Sequence, residues 1–148
     1  MSSIVELIDA FHANKISSDD YLKGLDRHIQ FAARKLAEVE KQQIVAEDRP
    51  LWDSELKPGL LAIYEGLIGA ATEAKEFART RDEELLKGVG ILIAGIDQVM
   101  AILDQKSGGV SASTRQALEA ATAGPGDDLS LENRPTKGSA ESKVSFLD

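Results

Sequence analysis

The sequence predicts an all-α fold: an antiparallel helical bundle of one short N-terminal helix and three long helices, followed by a disordered C-terminal tail. Three observations carry this. Apolar residues recur at alternating steps of three and four over three separate stretches, the spacing that keeps side chains on one side of a helix. The links between the stretches are short and hold helix-capping residues, which makes consecutive helices antiparallel neighbours. After Gln105 the composition shifts to Ser, Ala, Gly and Pro, with little apolar residue to bury. The expected division is a bundle domain over 1–105 and a flexible low-complexity tail over 106–148.

Residues 3–14 read as a short amphipathic helix, with Ile4, Ile8 and Phe11 along one side and Asn14 as a left-handed terminator. Ser17-Ser18-Asp19-Asp20 then supplies a serine cap and two acids in the first turn of the next helix, where they complement its dipole. That helix is expected over 18–46, with Leu22, Leu25, Ile29, Ala32, Leu36, Val39, Gln43 and Ala46 as its seam and mixed charge elsewhere. The segment from Leu7 through Asn-Lys-Ile-Ser-Ser-Asp-Asp-Tyr to Leu25 resembles the helical hairpin of short C-terminal (SHOCT) domains. The resemblance covers a fraction of the chain and implies shared turn chemistry without membership of that family.

Pro50 breaks the pattern over Glu47–Asp53, predicting an interhelical loop, and Lys57-Pro58-Gly59 is either a second break or a helical first turn containing proline. A helix over 58–79 follows, with Leu60, Tyr64, Leu67, Ala71, Ala74 and Ala78 as its seam. The alanines, with Gly66 and Gly69, permit close approach of a neighbour. Thr80 or Asp82 is placed to cap the last long helix, expected over 82–105.

Within that helix, Leu85 to Leu103 is the most apolar stretch of the chain and reads as a buried element around which the others are arranged. Leu85, Val89, Leu92, Ile96, Val99 and Leu103 form one seam, and Leu86, Ile93 and Met100 a second row beside it. Gly88, Gly90 and Gly95 each cost a helix about 1 kcal/mol relative to alanine, a cost expected to be offset by close packing against the alanine-rich helix or against another copy. A functional hinge is the alternative. Because three long helices cannot cover every apolar face of this one, a homodimer is expected to complete its cover, with Leu86, Ile93, Met100, Gly88 and Gly95 as candidate interaction residues. In the tail, Ser113 and Gln116 fit a capping box for a brief helix through Ala121, ended by Gly124-Pro125-Gly126. Val144, Phe146 and Leu147 near the terminus are a candidate docking motif, the alternative being an inert end.

Composition removes several functions. The sequence has no cysteine, which excludes disulfides, thiol nucleophiles and thiolate metal sites. With 25 Asp and Glu against 17 Lys and Arg, the net charge is −8 and no basic cluster interrupts it, so no nucleic-acid partner is expected. The N-terminus lacks the pattern of a secretory signal, and cytoplasmic location is expected. The apolar run of the last helix is interrupted by Asp97 and Gln98 and its unbroken part falls short of the roughly 20 residues needed to span, so no membrane insertion is expected.

Asp9 and His12 stand one turn apart, yet a di-iron bundle needs Glu-x-x-His twice, and that motif is missing. The two histidines, His12 and His28, are expected at surface or boundary positions, with no metal or cofactor. There is no Gly-x-Ser-x-Gly elbow, and Gly88-Val89-Gly90 lacks the glycine and lysine of a phosphate loop. Acid–base work could use the embedded acids Glu65, Glu73 or Asp97, but Asp97 shares a stripe with Glu83, Gly90, Ala94, Ala101 and Asp104 that reads as an exposed edge, and a solvated carboxylate is expected. The expectation is a non-catalytic helical interaction protein, an adaptor, chaperone or assembly regulator that pairs through its helices with itself or with an unidentified protein. The alternative is a bundle that binds a lipid or other apolar small molecule, with Tyr64 or Trp52 as the polar-edged aromatic.

Overall fold

The alanine-rich helix α4 (Lys57–Thr80) is the element on which both other long helices pack, and Leu60, Ile63, Tyr64, Leu67, Ala70, Ala71, Ala74 and Phe77 are all buried along it. A computed structural model describes residues 2–124 and gives an all-α bundle. Its remaining helices are α1 (Ser2–His12), α2 (Ser18–Lys41), α3 (Arg49–Leu51), α5 (Glu83–Lys106) and α6 (Ala112–Thr122). Lys57 and Lys75 of α4 pair with Glu40 and Asp26 of α2 at 2.9 and 2.6 Å, so α2 runs antiparallel to α4. Gly59 and Gly66 of α4 lie under Leu103 and Ile96 of α5, which is antiparallel on the other side. At 3.6 residues per turn these two sets of α4 residues lie on opposite sides of the helix, so α2, α4 and α5 form one layer.

The α4·α5 seam is held by large side chains set over small ones. A Cβ on Gly59 would stand 2.6 Å from Leu103 Cδ2, one on Gly66 3.1 Å from Ile96 Cγ1, and one on Gly88 of α5 would run into the Glu73 carboxylate of α4. Because interiors are packed to crystal-like density, these glycines let the helices approach where alanine would hold them apart.

The most apolar helix is therefore not the central one. Only Val89, Ile96 and Leu103 of the 24 residues of α5 are buried, and they recur at every seventh position. Apolarity alone does not make a centre: α4 is reached from both sides because its alanines and glycines are small, whereas α5 stands at the edge of the layer.

Two short helices close the ends. α1 terminates at Asn14, which takes the expected left-handed conformation (φ 61°), and it inserts Ile4, Leu7, Ile8 and Phe11 into the core. Phe11 stacks on Tyr21 of α2 with ring centroids 4.1 Å apart and meets Phe77 of α4 edge-on at 6.2 Å. The Arg81 guanidinium covers the Phe11 ring at 4.5 Å, an attraction that favours the uncommon left-handed backbone of Arg81 (φ 57°). Ser17 caps α2, accepting from the Asp20 amide at 3.0 Å, and Asp82 caps α5, accepting from the Glu84 amide at 3.0 Å.

α2 stops at Lys41, short of the expected Ala46. Gln42 turns extended, and Ile44 swings in to bury its side chain while Gln43, the last polar member of the expected seam, is exposed. The expected loop around Pro50 is instead a run of helical turns: a 3-10 turn at Ala46–Asp48, α3, and a wide π turn over Trp52–Leu56 that buries Trp52 and Leu56. Both Pro50 and Pro58 fall in first turns, where their missing amide costs no hydrogen bond.

The segment expected to open a flexible tail folds back as α6 and adds Leu118 and Ala121 to the core. Its cap is Ser111 rather than Ser113. Asp48, in the turn after α2, accepts through Oδ2 from Thr114 Oγ1 (2.5 Å), Ser111 Oγ (2.7 Å) and the Ser111 amide (3.1 Å). These hydrogen bonds hold the Asp48 carboxyl below the usual carboxylate range, those from Thr114 and Ser111 side chains being the largest cause. At the other end Lys35 Nζ donates to Ala120 O (2.9 Å) and Tyr64 OH to Ala121 O (2.5 Å). Both polar ends of α6 are thus satisfied by the bundle.

Asp48→Ala removes three of these bonds and is expected to loosen α6 while leaving the layer intact. Amide hydrogen exchange should speed up over Ala112–Thr122 and stay slow in the middle of α4. Unchanged exchange in α6 would show that Leu118 and Ala121 alone hold it.

Candidate functional site

α5 has two unlike faces. The inner one carries Val89, Ile96 and Leu103, buried against α4, with Leu86, Ile93 and Met100 half-buried beside them. These three expected interaction residues are therefore largely occupied within the chain. The outer face carries Gly90, Ile91, Ala94, Gln98, Ala101 and Ile102, all exposed, with Gly95 half-exposed among them. Ile91 is 72% exposed and Ile102 48%. No charged residue lies on this strip between Lys87 and Asp104, although Asp97 borders it. The strip repeats every three or four residues as Lys87, Ile91, Gly95, Gln98, Ile102 and Gln105, a second helical seam opposite the first.

The glycines divide the same way. Gly88 meets Glu73 of α4, but a Cβ added to Gly90 or Gly95 would find nothing within 4 Å. Close packing within the chain thus explains Gly88 and does not explain Gly95, which faces outward.

Compared with known proteins, the chain matches no family model, no curated protein and no solved structure. The surface must be read from its own chemistry.

Other features explain themselves structurally. A cleft of about 530 Å³ opens between α2 and α4 beside Leu22, Ile29 and Thr72. The charges at its rim are already paired, Lys75 with Asp26 at 2.6 Å and Arg79 with Glu76, leaving no free charge to hold a ligand. His12 Nε2 meets Glu83 Oε2 at 3.1 Å and ties α1 to α5. Among the described residues no three His, Asp or Glu side chains converge as a metal site would require. Trp52 and Tyr64 are both core residues, and the Tyr64 hydroxyl is used by Ala121 O. Burial pushes the Tyr64 hydroxyl up to about 12, with Glu38 adding to the rise.

His28, expected at a surface or boundary, is instead buried on α2 with only 4% exposure. Leu25, Ala32 and Val39 of the expected α2 seam are buried, while Leu22, Ile29 and Leu36 are only half-buried. The buried side extends instead over Tyr21, Gly24, His28 and Phe31, with Leu7 of α1 pressed onto Gly24. Small and polar residues hid this face from a count of apolar positions.

By length and composition α5 and the turn after it, Glu83–Gly109, are long and apolar enough to cross a membrane, the only such stretch among the described residues. Counting only the uninterrupted apolar run underrates this stretch. Val144, Phe146 and Leu147 lie outside the described residues.

Proposed function

We propose that the protein is a non-catalytic helical interaction module whose working surface is the outer face of α5. One observation carries this: a strip of apolar and small residues, with Ile91 and Ile102 at its ends, is left open to water on the side of α5 that faces away from α4. Contiguous exposed apolar surface of this kind marks binding sites, because leaving it in water is unfavourable and covering it is rewarded at about 25 cal/mol per Å². A protein partner fits better than a bilayer. The inner seam of α5 is packed on α4, whose own outer side carries Glu65 and Thr72, and Asp97 and Asp104 flank the apolar strip. Adaptor, chaperone and assembly-regulating roles all use such a face, in the cytoplasm on this reading.

A photo-reactive benzoylphenylalanine installed at Ile91 tests the reading directly. In cells producing the full chain, ultraviolet light should yield a discrete protein adduct from position 91 and none from the same residue installed at Lys23, on the wet side of α2. If position 91 gives no protein adduct under conditions where free amino acid controls react, the surface is not an interaction site.

A further inference from the structure

We propose that the occupant of the outer α5 face is α5 of a second copy, packed antiparallel, with Gly95 of each copy under Gln98 of the other and Ile91 against Ile102. This rests on the interaction reading above and names its partner.

Inside the chain, α4 and α5 are joined by one rule: a large side chain from one helix covers a glycine of the other, as Leu103 covers Gly59, Ile96 covers Gly66 and Glu73 covers Gly88. On the outer face both halves of that rule are present and unmatched. Gly90 and Gly95 have no atom near an added Cβ, while Ile91, Gln98 and Ile102 are exposed on the same surface. Each such glycine costs the helix about 1 kcal/mol relative to alanine, and nothing in the single chain offsets it. A face that holds both the knobs and the holes is complementary to itself.

The order of residues supports a two-fold pairing. In an isologous contact residue i meets j and j meets i. About a midpoint between Ile96 and Asp97, Ile91 pairs with Ile102 and Gly95 with Gln98. Both pairs are compatible: apolar with apolar, small with large. The charges at the ends favour the same direction. Asp82, Glu83 and Glu84 begin α5 and Lys106 ends it. A parallel pair would bring both acidic turns together and align two macrodipoles, on a protein already carrying −8. An antiparallel pair places the two acidic first turns at opposite ends and sets the two macrodipoles against each other.

The sequence contains no cysteine, so single cysteines placed on exposed positions report the geometry without background. Gln98→Cys, Lys87→Cys and Gln105→Cys are made in the full chain, checked for unchanged helicity, and treated with a short bis-maleimide. The Gln98 variant should cross-link to itself, because it sits next to the two-fold axis. The Lys87 and Gln105 variants should not cross-link alone, since the two copies of position 87 lie about 28 Å apart along the axis at 1.5 Å per residue. A mixture of the two should cross-link to each other. Self-cross-linking of the Lys87 variant would overturn the antiparallel arrangement. A single-chain mass by light scattering across a dilution series, with no cross-link from any variant, would overturn the second copy altogether. In that case a position 91 photo-adduct with a different protein would leave the broader interaction reading standing, and its absence would remove both.

Discussion

Filling Gly66 with leucine should unseat α5 from α4, and trimming Ile96 in the same molecule should seat it again. A Cβ at position 66 already falls 3.1 Å from Ile96 Cγ1 and 3.2 Å from Ile96 Cδ1, and Ile96 is 3% exposed, with little room to move. Gly66→Leu adds three more carbons beyond that point. Overpacking of this kind costs about 1–3 kcal/mol, sometimes more. Ile96→Ala alone leaves a cavity in the same seam and costs about 2–5 kcal/mol. In the double variant the leucine occupies the volume the isoleucine gave up, so the two losses should fall short of their sum by about 1–3 kcal/mol, the size of coupling seen between residues in contact. Urea denaturation of the four proteins measures this cycle. Strict additivity would mean that positions 66 and 96 do not meet and that the register of α4 on α5 is different.

Why α4 rather than α5 is central follows from what periodicity can and cannot report. The pattern of threes and fours places apolar residues on a side of a helix, and it located α2, α4 and α5 to within a few residues at most ends. Ser17, Asp82 and Asn14 announced their turns because each does local chemistry: two caps and a left-handed terminator. Which side meets which neighbour depends instead on size matching between helices far apart in sequence. Ala70, Ala71 and Ala74 count little as apolar residues, yet each is fully buried because a small side chain admits a second backbone. Leu, Ile and Val dominate α5, yet much of their surface stays outside.

The same limit hid the clamp on α6. Asp48 lies 63 residues from Ser111 and 66 from Thr114, and no spacing rule links a carboxylate in one turn to a hydroxyl cap so far along the chain. The capping-box pattern pointed to Ser113, two residues past the serine that caps α6. Of the expected interaction residues, Leu86, Ile93 and Met100 proved to belong to the inner half of α5, whereas Gly95 lies on the outer strip with Ile91, Gln98 and Ile102. The expected interaction residues thus fall on both sides of α5, because both seams repeat at the same interval.

The protein should lose stability as pH falls from about 6.5 to about 4, through one residue, His28. Its ring is buried on α2, and Nε2 has no hydrogen-bond partner among the described residues. Burial, and after it nearby positive charge that includes Arg27, pushes the imidazole down to about 4 from its ordinary 6.5. The sign follows directly. The native state keeps His28 neutral until pH 4, while the unfolded chain begins to take up the proton near 6.5, so between these values acid favours unfolding. At about 1.4 kcal/mol per unit the whole shift is worth about 3 kcal/mol, fully present above pH 6.5 and gone by pH 4. Carboxylates of the unfolded chain begin to take up protons toward the lower end of this window, and their contribution must be separated from it. His28→Leu does so, since it removes the imidazole and leaves them in place. The difference in unfolding free energy between wild type and His28→Leu, measured in urea at several pH values from 7.5 to 4, should move in favour of the variant as the pH is lowered. A difference that stays constant across the series would mean that His28 is protonated in the native state as readily as in the unfolded one, and that water reaches its ring.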